Sequence, residues 1–189
     1  EGHGSNPRGV GVPHLRSRPA RSVDKQLLSS NASLWAHTRT FFPIYVELLK
    51  HSLESQDTER ARVLVVGASD GKFVIPLLRL GLRVTAVEID EQMLRGADHS
   101  LTARARSEGV SEHLEILAGD FRDLALYGYD SVWTSCSWHY SLNKDRPVKL
   151  FMDCLVRSLK GGGLLGVEYM LPVVASDLEC DRYLGEGEI

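Results

Sequence analysis

Apolar residues fall along this chain in two rhythms. Between Leu27 and Leu53, positions Leu34, Phe41, Phe42, Ile44, Tyr45, Leu48, Leu49 and Leu53 recur largely at steps of three and four, which predicts helices packing one face inward. Pro43 suits the first turn of the second of these helices, where a missing N–H breaks no helical bond. The polar run SQDTER ends the pattern, and RVLVVG follows as a short β-branched run of the kind buried on both faces of a sheet.

The two rhythms then alternate. FVIPLLRLG reads as a helix, RVTAVEI as a strand, EQMLRGADHSLTARARSEG as one helix, and LEILAGD and YDSVWTSC as the next two strands. PVKLFMDCLVRSLK reads as an amphipathic helix stopped by Gly161, Gly162 and Gly163, with LLGVEYM as a fifth strand. Strands separated by helical crossovers imply a parallel sheet. The expected fold is α/β, a Rossmann-like, doubly wound, mainly parallel sheet with an N-terminal helical cap.

The length of 189 residues suits one domain, placed at residues 26–189. Residues 1–25 mix Gly, Pro, Arg and Ser and read as a flexible tail, whose opening EGHGS has the look of a tag remnant. Apolar residues at 43% and charged ones at 25% are ordinary for a soluble globular protein. A formal charge of −3 supplies no overall basic field, so nucleic acid is not the first partner to expect and a small-molecule substrate is preferred.

Cys136, Cys154 and Cys180 are an odd number without paired or metal-like spacing, which points to reduced thiols. His37, His51, His99, His113 and His139 form no ligand-spaced group, so no metal is expected. No apolar run approaches the ~20 residues of a membrane span, and a cytoplasmic protein without membrane attachment is the expectation.

Chemistry concentrates at strand ends. VLVVGASDGKF sets Gly67, Ala68, Ser69 and Gly71 between a buried strand and a helix, where small residues let a ligand approach backbone amides. Glu88 ends the second strand about 20 residues later, where a carboxylate can accept hydrogen bonds from both hydroxyls of a ribose. The plainer alternative for Glu88 is a solvated carboxylate opening a helix with Asp90 and Glu91, and Asp90 itself reads as the helix cap. AGDFRDL adds Asp120 and Phe121 at the end of the third strand.

In this order of motifs, over about residues 60–171, the chain resembles the class I S-adenosylmethionine-dependent methyltransferases. The resemblance implies S-adenosylmethionine as cofactor and methyl transfer as activity. It implies that Gly67, Ala68, Ser69 and Gly71 face the methionine part, that Glu88 holds the ribose, and that Asp120 and Phe121 meet the adenine. Ser135, at the end of the fourth strand, would lie near the cofactor on the same grounds. Val65 stands where the family commonly has an acidic residue, and Ser69 where its middle glycine usually is.

The fourth-strand exit, TSCSWHYSLN, would face the reactive methyl. His139 is of a type suited to taking a proton near neutral pH and is the candidate base, with Trp138 and Tyr140 as candidate substrate walls. A histidine that only packs there is an equal reading, and Trp35, His37 and Tyr45 could form either a lid or core. The accepting atom, oxygen, nitrogen or carbon, is open.

Two rivals stand beside methyl transfer. GASDG together with the spacing of Tyr140 and Lys144 also resembles the NAD(P)-dependent short-chain dehydrogenases, although that pair here precedes turn-like Asp145, Arg146 and Pro147 instead of lying on a long helix. The other rival is a non-catalytic, methyltransferase-like binding domain. After LLGVEYM the family adds two more strands, and LPVVASDLECDRYLGEGEI is short for both. The domain is therefore expected to lack its last strands, as a fragment of a longer protein or as one half of a homodimer.

Overall fold

A computed structural model of the chain describes residues 40–54, 60–96, 98–138 and 147–169. Five strands, β1 (Arg62–Val66), β2 (Arg83–Glu88), β3 (Leu114–Ala118), β4 (Tyr129–Ser135) and β5 (Leu159–Glu168), pair in parallel in the order β3-β2-β1-β4-β5. The chain runs outward from β1 to β2 and β3, then returns to place β4 on the other side of β1. That reversal between β1 and β4 opens a crevice beyond the strand carboxyl ends.

Successive β-strand residues point to opposite faces, and both faces are covered. Val63 and Val65 of β1, Val84 and Ala86 of β2 and Trp133 of β4 pack with α1 (Phe42–Leu53), α2 (Val74–Arg79), α3 (Glu91–Arg95) and α4 (Leu101–Ser107). Leu64, Val66, Val87 and Val132 turn the other way onto α5 (Val148–Ser158), meeting Phe151, Cys154 and Leu155. Burial of each valine, leucine or phenylalanine among them contributes about 1.5 to 3 kcal/mol. This two-sided covering is why VLVV, residues 63–66, reads as an unbroken apolar run.

Of the N-terminal cap, α1 lies within the described residues, with Pro43 in its first turn as expected. Its Phe42 and Tyr45 join Phe73 and Trp133 in an aromatic cluster with ring centroids 4.7 to 5.8 Å apart. Ser131 Oγ–H donates to Leu164 O at 2.8 Å, so its 2.6 Å contact with Tyr45 takes the Tyr45 O–H as donor. A hydrogen-bonded chain thus ties α1 through β4 to β5. Residues 26–39 lie outside the described residues.

Two elements differ from expectation. The single helix expected over residues 91–109 is two, α3 and α4. Gly96 N–H closes α3 onto Gln92 O, and Ser100 caps α4 by accepting from Ala103 N–H. Apolar periodicity continues across the break through Leu94, Leu101 and Ala105, so the pattern alone conceals it. The glycines Gly161, Gly162 and Gly163 do not follow the last helix but lie within β5, which begins at Leu159. Tyr129 pairs with Leu159 while Ser131 pairs with Leu164, so the glycine run forms an irregular bulge against β4.

Candidate functional site

The carboxyl ends of the strands surround a cavity of about 750 Å³. Its wall includes Gly67, Ala68, Ser69 and Lys72 after β1, Glu88 at the end of β2, Asp120 and Phe121 after β3, and Ser135 and Cys136 at the exit of β4. Val66, Phe73, Val87, Met93 and Phe151 add apolar surface. Residues distant in sequence therefore converge because parallel strands all end on one rim.

The loop after β1 is tied through its backbone to β2. Gly67 and Ala68 N–H both donate to Val87 O, at 2.9 and 3.0 Å. Gly67 has φ +72°, and a Cβ there would stand 2.0 Å from Ser137 Oγ. Ser69 adopts φ +47°, the left-handed conformation that glycine takes most readily, and so fills the place of a glycine in backbone as well as in sequence. Gly71, at φ +96°, is not on the cavity wall; a Cβ there would meet Leu101 Cδ1 of α4 at 2.6 Å. Its small size serves packing of the loop on α4.

Val65 is fully buried in the first apolar cluster, where a carboxylate would carry a large desolvation cost. The buried acid of this loop is instead Asp70, at 0% exposure, whose Oδ2 and backbone O both accept from Arg104 Nη1 at 3.0 and 3.2 Å. A charge pair with little solvent access thus pins the loop to α4.

Glu88 Oε2 accepts from Ser69 N–H at 2.9 Å, while Oε1 accepts from Ile89 and Asp90 N–H at 2.8 and 3.1 Å. The carboxylate is therefore fixed against the first loop at the cavity wall while it also meets the backbone that leads into α3. Asp90 caps α3, its Oδ1 accepting from Gln92 N–H at 2.9 Å. Asp120 is gripped by Arg122: Oδ1 accepts from Arg122 N–H at 3.0 Å and Nε–H at 2.9 Å, and Oδ2 from Nη2 at 2.6 Å. Arg122, with its side chain 1% exposed, is a site component that the sequence reading missed.

Ser135 Oγ donates to Glu168 Oε2 at 2.6 Å. Glu168 Oε1 also accepts from Thr40 Oγ1 at 2.5 Å and from Phe41 N–H, joining the start of α1 to the β4 exit. Burial pushes the Cys136 thiol above its ordinary value, which disfavours thiolate. Burial lowers the Lys72 ammonium, against the opposing pull of Glu168, Asp70 and Cys136. Lys72, Arg122 and Glu168 had no recognisable motif to announce them.

Trp138 is half-buried against the second apolar cluster and is not on this cavity wall. His139 and Tyr140, the expected base and substrate wall, lie outside the described residues, as do Lys144, Trp35 and His37. Among the described residues, no group of three or more His, Cys, Asp or Glu side chains is arranged to hold a metal. No helix among them is long and apolar enough to cross a membrane.

No curated protein matches the chain in sequence. Among solved structures, a candidate S-adenosyl-L-methionine-dependent methyltransferase from Methanococcus maripaludis superposes with a TM-score of 0.51 at 15% identity, over 80% of this chain and 67% of that one. An S-adenosylmethionine-dependent methyltransferase from Clostridium acetobutylicum superposes with a TM-score of 0.54 at 17% identity, over 66% of this chain and 47% of that one. At these identities the likeness establishes the fold, and this chain spans only part of each relative's length. A family model described as a methyltransferase domain matches residues 64–165, from β1 into β5 and more than half of the 189 residues. The chain belongs to this methyltransferase-domain family, and methyl transfer is the chemistry its motifs led one to expect.

Proposed function

We propose that the protein containing this domain transfers a methyl group from S-adenosylmethionine to a small-molecule acceptor. The observation that carries the reading is the pair of carboxylates, Glu88 and Asp120, fixed at neighbouring strand ends on one cavity beside the Gly67 loop. The donor set fits the cofactor. A ribose offers hydroxyl donors to Glu88, an adenine offers amino protons to Asp120, and Phe121 supplies an apolar surface for the ring. The size of the cavity is in the usual range for such ligands, about 300 to 1,000 Å³.

When bound, the cofactor supplies an electrophilic methyl on a sulfonium, so the protein's task is to align an acceptor and exclude water. In this reading Gly67, Ala68 and Ser69 form the floor beneath the cofactor's amino-acid side, Gly71 holds that loop on α4, and Ser135 borders the β4 exit. His139 takes the acceptor's proton, with Tyr140 shaping its pocket, while Trp138, packed in the second apolar cluster, supports the β4 exit from behind. The small-molecule class follows from the formal charge of −3, which offers no broad basic field for a polyanion.

Calorimetric titration with S-adenosylhomocysteine, NADH and NADPH tests the reading, repeated on Glu88→Ala. Binding of the first ligand alone, weakened in the variant, supports it. Binding only of a nicotinamide, or of no ligand, overturns it.

A further inference from the structure

After β3 the chain enters a short helical turn, Phe121–Asp123, that folds back on Asp120. The Asp120 side chain accepts the Arg122 N–H, and its backbone oxygen accepts the Asp123 N–H, both at 3.0 Å. The Arg122 guanidinium then closes as a fork on both carboxylate oxygens, Nε–H on Oδ1 at 2.9 Å and Nη2 on Oδ2 at 2.6 Å. Phe121, between the two, rests against Phe151 of α5 with ring centroids 5.7 Å apart. Asp120 is thus held by its own turn and by a guanidinium side chain that is only 1% exposed. Burying an arginine costs free energy, and a fork on a carboxylate gives fixed direction as well as charge in return. All three residues, Asp120, Phe121 and Arg122, stand on the cavity wall.

We infer that Arg122 is a positioning residue that sets nucleobase selectivity: by fixing Asp120 it admits a purine whose edge carries an amino group and rejects one with an oxo group on the same carbon. The inference rests on the proposed function, which sets an adenine against Asp120. A carboxylate paired with a guanidinium only accepts hydrogen bonds. An amino group turns an N–H toward it. An oxo group turns a lone pair toward it, and the N–H donor of the oxo purine lies on the neighbouring ring atom. A carboxylate able to rotate follows the donor to that atom, whereas one gripped at both oxygens does not. Discrimination of this kind comes from a group that cannot adapt to the wrong ligand. Arg122 therefore acts on the ligand through Asp120, by denying it a second orientation.

The test is calorimetry with two ligands that differ only in the purine edge: S-adenosylhomocysteine and S-inosylhomocysteine, in which an oxo group replaces the adenine amino group. The wild-type chain should bind the first roughly ten- to a hundredfold tighter, as for one hydrogen bond to a charged group. Arg122→Met releases Asp120 and should bring the two affinities within about threefold of each other. Arg122→Lys keeps the charge without the fork, so its ratio should fall as well. An arginine that only stabilised the fold would weaken both ligands alike and leave the ratio in place. Equal affinity of the wild type for the two ligands, a wild-type ratio retained in Arg122→Met, or loss of both ligands together in that variant overturns the inference while leaving methyl transfer standing. Binding of neither ligand to the wild type overturns the functional reading and this inference together. If Arg122→Met does not fold, Arg122→Lys decides, and a wild-type ratio there overturns the inference.

Discussion

Glu88 holds Ser69 in a conformation that a serine does not favour: the Glu88 carboxylate accepts the Ser69 N–H at 2.9 Å while Ser69 sits at φ +47°. The left-handed region costs an L-residue about 1 to 2 kcal/mol, and a β-branched side chain more than a serine. Ser69→Gly should therefore leave the melting temperature unchanged or raise it, and Ser69→Val should lower it, as read by thermal denaturation. A stable Ser69→Val variant would show that the loop is not held this way.

Gly67 offers a sharper steric test. With a Cβ at 2.0 Å from Ser137 Oγ and φ at +72°, Gly67→Ala combines overpacking with backbone strain. A loss of roughly 2 to 5 kcal/mol is expected in denaturant titration. Introduced into a Ser137→Gly background, the same change should cost only about 1 to 2 kcal/mol, because the clash is gone and the strain stays.

The Asp70–Arg104 pair predicts strong non-additivity. Arg104→Met leaves the fully buried Asp70 carboxylate without its guanidinium and should cost about 3 to 5 kcal/mol. Adding Asp70→Asn should recover much of that loss, since the buried charge is then removed. Additive losses in a double-mutant cycle would show that the two residues act separately.

How much of this was legible beforehand depends on how local each signal is. The strands β1 and β2 announce themselves because both faces are apolar, and the Gly67, Glu88 and Asp120 positions follow from spacing within consecutive strand-helix units. The break between α3 and α4 was hidden because the inward stripe of Leu94, Leu101 and Ala105 runs straight through it. Gly161–Gly163 suggested a helix stop, yet their role is set by the register of β5 against β4, which no local pattern contains. Arg122 and Glu168 act through side-chain partners, and the contact of Glu168 with Thr40 spans 128 positions of sequence.

Tyr45 predicts a pH effect on stability. Burial is the main cause that raises its phenol above the ordinary value of 10.0. Above pH 10.0 the unfolded phenol gives up its proton while the folded one retains it, so the folded state binds more protons and stability falls as pH rises. Below that pH the contribution is fully present. Tyr45→Phe should lower stability by about 1 kcal/mol near neutrality through the lost hydrogen bond. Its stability should decline less steeply than that of the wild type above pH 10.0, measured by denaturation across that range.

The all-parallel order β3-β2-β1-β4-β5 also governs when the cavity can exist. No hairpin or single crossover contains it, because its walls come from the ends of β1, β2, β3 and β4. Each wall joins the others only after non-local pairing, the slow kind of contact in folding. A nascent or partly assembled chain therefore has no miniature of the site with which to hold a nucleoside. Ligand binding should begin only when the central sheet is complete, so a bound nucleoside would serve as a reporter of the last stages of folding.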